Sequence, residues 1–288
     1  MHRMLFSLIV LLCLCLCMTI FPASAEDTLP LPDGPLDQLV HVPASQSLFP
    51  TPSPAPTRTP KPTPETIAEV EEDDDPFPFA IRYGNRDVNE IAITMDDCYT
   101  IQYVRETFEL VQSLGVPITF YPLGVALHAE DAGLWQAIAA SDCEIGTHTQ
   151  QHGRMGFGGS ARIYANLMRP QEILDEILGY HYPIRTVRPP YGNYLDENGR
   201  SQTVARVLRK AGFRHVILWD VSQTNARKAL SSVRNGSILL YHARPADIQC
   251  LRELIPALKE KGFRFVTVSE LTGLEPLATS TDLYTFEP

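Results

Sequence analysis

Strands and helices alternate along most of this chain, and that order restricts the fold more than any other feature of the sequence. Residues 90–95 (EIAITM) are β-branched and apolar, which suits a buried strand. Residues 101–114 place Val104, Phe108, Val111 and Leu114 on one helical stripe, and Gly115 supplies the stop. A strand over 116–121, a helix over 132–140 and a short strand over 144–146 come next. The pattern predicts helices over 163–178, kinked or split at Pro170, and over 203–211, then strands at 215–218 and 237–241. It ends with a helix over 248–261 and a last strand over 263–268. Repeated β–α order predicts an α/β fold with a parallel sheet, open or closed as a barrel. In such folds the chemistry sits beyond the carboxyl ends of the strands.

The alternation occupies only part of the 288 residues. Arg3 followed by an apolar run from Met4 to Phe21 and the small residues Ala23-Ser24-Ala25 reads as a signal peptide over 1–25, cut before Glu26. Export is expected, to the cell exterior or the cell wall, with no stable membrane span once the signal is cut. Residues 26–76 read as a disordered linker. Seven of the fifteen residues from Pro50 to Pro64 are proline, which favours an extended, semi-rigid spacer, and Glu71 to Asp75 is an unbroken acidic run. Residues 77–288 then form one domain. It carries 21 Lys+Arg against 23 Asp+Glu, so most of the net charge of −10 lies upstream of it. A surface without basic excess argues against nucleic acid as a partner. Signal cleavage removes Cys13, Cys15 and Cys17 and leaves Cys98, Cys143 and Cys250, an odd number that argues against a disulfide framework.

Polar residues cluster after the strands. Asp96-Asp97 follows the first buried strand, and adjacent carboxylates repel unless a cation or arginine is close. His148 and His152 stand at i and i+4, on one face if the turn between them is helical. Joined by an aspartate from another strand end, they would make a two-histidine, one-carboxylate site for a divalent metal that activates water. Arg188-Pro189-Pro190-Tyr191-Gly192 is a stiff turn, and His242 ends the strand that contains Leu240.

The four segments TMDDC (94–98), HTQQH (148–152), RPPYG (188–192) and LYH (240–242) occur in an order that resembles the NodB-homology polysaccharide deacetylases, carbohydrate esterase family 4. The resemblance runs from about Asn89 to Val268. It implies a distorted (β/α) barrel of about seven parallel strands. It also implies Asp96 as general base, Asp97, His148 and His152 as metal ligands, and Arg188 steadying the base. The Tyr191 N–H would help bind the oxyanion, Leu240 would line the acetyl pocket, and His242 would be the general acid. The implied ion is divalent, zinc first, with cobalt, nickel or manganese as alternatives. The implied partner is an acetylated polysaccharide, peptidoglycan or chitin-like, and the oligomeric state stays open. Two departures stand out. Cys98 replaces the family's glycine, and alignment puts Asn225-Ala226 where the family has an Asp-Trp pair that tunes the acidic histidine. These keep a non-catalytic glycan- or metal-binding domain among the alternatives, beside an O-acetyl-xylan esterase and a small-molecule amide hydrolase.

Overall fold

The computed structural model describes residues 79–275. The signal peptide expected over 1–25 and the linker expected over 26–76 lie outside the described residues. Within them the alternation is realised as eight strands and seven α-helices. In chain order these are β1 (Ala80–Ile81), β2 (Glu90–Asp97), α1 (Ile101–Ser113), β3 (Thr119–Pro122), α2 (Ala132–Ala139), β4 (Glu144–Ile145) and α3 (Gly159–Leu178). There follow β5 (Thr186–Val187), α4 (Gln202–Lys210), β6 (His215–Ile217), α5 (Ala226–Ser232), β7 (Ile238–His242), α6 (Pro245–Glu260), β8 (Arg264–Phe265) and α7 (Val268–Leu271).

Every pairing between these strands is parallel. One sheet runs β4-β3-β2-β7, with β8 beside the start of β2, and the other runs β1-β6-β5. Single parallel bridges, Thr147 to Val187 and Val221 to Leu239, link the two sheets at both seams. The fold is thus α/β with parallel strands, joined by isolated bridges where a regular barrel would have full ladders.

The period-2 geometry of a strand sorts its side chains into two layers. Ile91, Ile93 and Met95 of β2, with Leu239 and Tyr241 of β7, point into the shell between sheet and helices. Ala92 and Ile238 point the other way, into a smaller inner cluster with Tyr121, Ile217 and Val266. Thr94, Asp96, Leu240 and His242 continue that inner face towards the carboxyl ends of the two strands. The site is therefore built on the inner face, while the outer shell supplies most of the burial.

Three local expectations are corrected. Pro170 neither ends nor splits α3, which runs unbroken for 20 residues with Pro170 buried inside it. Val268 is helical, and the last strand stops at Phe265. Thr267 and Glu270 form a reciprocal capping box. The N–H groups of Val268 and Ser269 go to Thr119 Oγ1 and Glu144 Oε2 instead of a ladder. A helix, α5, also stands where none was expected: the Asn225 side chain accepts from the Lys228 N–H and caps it.

Candidate metal centre

The site starts at the end of β2. Asp96 is still on the ladder, paired in register with Tyr121 of β3 and His242 of β7. Asp97 and Cys98 then take φ values of +67° and +60°. The Cys98 N–H closes back on the Asp96 carbonyl at 2.9 Å, a tight three-residue turn around Asp97. That turn swings the Asp97 carboxylate out of the strand's alternation and towards the loop after β4. A left-handed residue is what glycine tolerates best, which is why glycine suits position 98. Here the Cys98 side chain is accommodated because it points into the shell cluster, almost fully buried, with Sγ 3.8 Å from the Met95 carbonyl. It is not one of the grouped donors described below. Cys98, Cys143 and Cys250 are all free thiols.

His148 and His152 meet through a loop, not on a helical turn as the spacing suggested. Thr149 has φ +70°, and its hydroxyl donates to the Gln151 carbonyl. The loop is pinned to the segment after β3 by Gly124 N–H to Thr149 O and Val125 N–H to Gln150 O. Gly124 leaves room there for Gln150, whose Oε1 would lie 2.1 Å from a Cβ. The result brings Nε2 of His148 to 3.3 Å and Nε2 of His152 to 3.6 Å from Asp97 Oδ1. His148 Nδ1 lies 2.7 Å from the Arg188 carbonyl. A carbonyl can only accept, so Nδ1 carries the proton and Nε2 presents a lone pair.

These atoms fit a divalent ion. One donor each from Asp97, His148 and His152 lie within 4.8 Å of one another. Two ligands bound at about 2.1 Å in tetrahedral geometry would sit about 3.4 Å apart. Asp97 Oδ1 is buried and finds no hydrogen-bond partner. A buried, unsatisfied carboxylate oxygen facing two imidazole nitrogens is costly unless a cation is held between them. Burial alone would push the Asp97 carboxyl up. The closeness of His148, His242 and His152 outweighs it and holds the carboxyl below the ordinary aspartate value.

Arg188 lies beneath this group, fully buried. Its Nη1 contacts both Asp96 oxygens at 3.1 and 3.2 Å, Nε donates to Ile217 O at 2.7 Å, and Nη2 donates to Thr94 Oγ1 at 3.0 Å. The guanidinium also faces the rings of Tyr121 and Trp219, at 5.0 and 5.4 Å. A buried ion pair is tolerable only when its remaining hydrogen-bonding capacity is met, as it is here. Asp96 Oδ2 is 4.0 Å from His148 Nε2, so the Asp96 carboxylate borders the three grouped donors. Trp219 thus forms part of the Arg188 cage. Tyr191, 69% exposed, lays its ring edge-on to His152 at 4.6 Å. Leu240 is buried on the inner face beside Thr94, two residues before His242.

Among the described residues, neither Asp220 nor Asn225 makes a hydrogen bond or ion pair with His242. Asp220 binds Arg86, the Ser237 hydroxyl and the Ile238 N–H, and Asn225 caps a helix. The carboxylate beside His242 is Asp247, which the sequence reading missed. It stands five residues on, in the first turn of α6. The legible signal was an aspartate two residues after a helix-opening proline, close behind a strand-end histidine.

Comparison with known proteins agrees with this geometry. Residues 83–216 match the family model described as polysaccharide deacetylase. A peptidoglycan-N-acetylglucosamine deacetylase of Bacillus cereus is 26% identical over 197 residues, covering 63% of this chain and 68% of that protein. The solved structure of the Bc1960 peptidoglycan N-acetylglucosamine deacetylase is 26% identical. It superposes with a TM-score of 0.59, covering 69% of this chain and 94% of that one. A carbohydrate esterase family 4 pseudoenzyme from Bacillus anthracis, 20% identical with a TM-score of 0.58 over 67% of this chain and 69% of its own, shares the fold. The family match ends at Val216, so Leu240 and His242 are brought to the site by the register of β7 on β2 alone.

Proposed function

Because this chain carries a polysaccharide deacetylase domain of carbohydrate esterase family 4, we propose that it removes N-acetyl groups from an N-acetylglucosamine-containing glycan, using a divalent metal ion. Asp97, His148 and His152 would hold the ion. The observation that carries this reading is Asp97 Oδ1, buried without a hydrogen-bond partner and facing both Nε2 atoms. A carboxylate with two imidazoles suits zinc best, with cobalt, nickel or manganese as alternatives. When bound, the ion supplies Lewis acidity that polarises the acetyl carbonyl and acidifies water.

The chain's own residues do the rest. Asp96, as general base, takes the proton of the attacking water at a carboxylate oxygen. Arg188, buried against both Asp96 oxygens, fixes that carboxylate and balances its charge. The Tyr191 N–H donates to the developing oxyanion, and Leu240 lines the acetyl pocket. An amine is a poor leaving group, so His242 delivers a proton to the amide nitrogen. The register of β2 on β7 sets Asp96 and His242 directly opposite each other on neighbouring strands.

Peptidoglycan is the first substrate, in line with the name of the Bacillus cereus relative, and a chitin-like glycan the second. The same reading includes export, with residues 1–25 as a cleaved signal and 26–76 as a spacer that lets the domain reach the wall. The non-catalytic alternative retains one support, the lack of a carboxylate at Asn225. A single experiment separates the two. The purified chain is assayed for bound metal and for acetate release from peptidoglycan and chitin oligomers, with and without chelator, beside D96N and H152A. We expect one ion per chain and acetate release lost on chelation. D96N should keep the ion but lose activity by about 100-fold or more, and H152A should lose both. Stoichiometric metal with no acetate from any acetylated glycan would overturn the catalytic reading.

A further inference from the structure

The surroundings of His242 contain a second layer that neither the family match nor the segment resemblance assigns. The His242 backbone N–H donates to Asp247 Oδ2 at 2.8 Å, and His242 Nδ1 lies 3.5 Å from the same oxygen. Arg244 Nε also donates to that oxygen, at 3.0 Å, while Arg244 Nη2 reaches His242 Nδ1 at 2.6 Å. Asp247 is almost fully buried and its Oδ1 has no hydrogen-bond partner. The end of β2 brings two more carboxylates to this side, Asp96, paired in register with His242, and Asp97.

These contacts cannot all be served at once. A guanidinium only donates, so its approach to Nδ1 requires a lone pair there and places the imidazole proton on Nε2. A carboxylate only accepts, so its approach to Nδ1 requires an N–H, which allows the doubly protonated ring. We propose that Asp247 and Arg244 are opposed positioning residues for His242, Asp247 favouring the protonated ring that can act as an acid and Arg244 favouring the neutral one. The pair would take the place of the strand-end aspartate that Asn225 lacks, from a different element, the opening turn of α6. Burial alone would raise the Asp247 carboxyl. The hydrogen bonds from His242 and Arg244 outweigh it and keep Asp247 below the ordinary aspartate value, so it is anionic at neutral pH. The consequence for turnover rests on the deacetylase reading, but the effect on the imidazole does not.

The test is titration of the His242 ring by heteronuclear NMR in the full chain labelled at histidine nitrogen, its signals identified by their loss in H242Q. The variants are D247N and R244Q. Asn keeps an acceptor for the His242 N–H but loses the charge, and Arg244 is largely exposed. D247N should leave more of the His242 ring neutral at a given pH than in the wild type, and R244Q less. The alkaline limb of kcat/KM for acetate release should move the same way in each variant, down for D247N and up for R244Q. A merely structural Asp247 would lower Tm without moving either. Shifts of the same sign, or none, would overturn the proposal. If D247N does not fold, R244Q decides with D247E, which should restore a wild-type titration. A wild-type chain that releases no acetate would defeat the deacetylase reading and leave the ring titration as the deciding measurement here.

Discussion

Cys98 shows how a residue can depart from a family pattern at little cost. Its backbone pays for a left-handed conformation, about 1–2 kcal/mol for a residue with a Cβ. Its side chain recovers part of that by burial in the shell, of the order of 1 kcal/mol for so small a group. The two effects nearly cancel. C98G should therefore change stability by less than about 1 kcal/mol in denaturant unfolding, and leave metal uptake unaltered, since the sulfur faces away from Asp97 Oδ1. The grouping of Asp97 with two histidines was legible from residue types at strand ends. The means of bringing them together was not. It depends on positive φ at Asp97, Cys98 and Thr149, and no local sequence rule assigns left-handed backbone to a threonine beside a histidine.

Among the elements, the long periodic ones could be read directly, because a buried stripe or a β-branched run leaves little choice. The short ones could not. β1 has two residues and makes its pairing only with β6, so its existence depends on a neighbour 136 positions away. α7 was legible in principle: Thr267-Val268-Ser269-Glu270 spells a capping box, but the apolar run leading into it reads as strand. α5 was lost because Asn225 was assigned to a catalytic motif, when an asparagine before a polar helix is a capping signal. N225A should accordingly cost about 1 kcal/mol of stability and leave the pH profile of acetate release unmoved. A displaced profile would return Asn225 to the neighbourhood of His242.

For the molecule as a whole, the division of charge matters. The domain is nearly neutral and the segments before it are acidic, so association with an anionic wall polymer gains little from long-range attraction. Among the described residues no helix is long and apolar enough to cross a membrane. Metal binding should also report on the whole fold, because the three grouped donors come from the end of β2 and the loop after β4. Zinc at about 100 times its dissociation constant should add about 2.7 kcal/mol and raise Tm, and chelator should reverse it. An unchanged Tm, read by calorimetry at equal protein concentration, would mean that those segments are not jointly stabilised by the ion. Among the described residues, the four non-glycine residues with positive φ, Asp97, Cys98, Thr149 and Tyr191, all stand at the turns that frame this centre. A library selected only for heat resistance would therefore tend to enrich glycine or asparagine at those codons, and its hardiest survivors should be poorer catalysts than their parent.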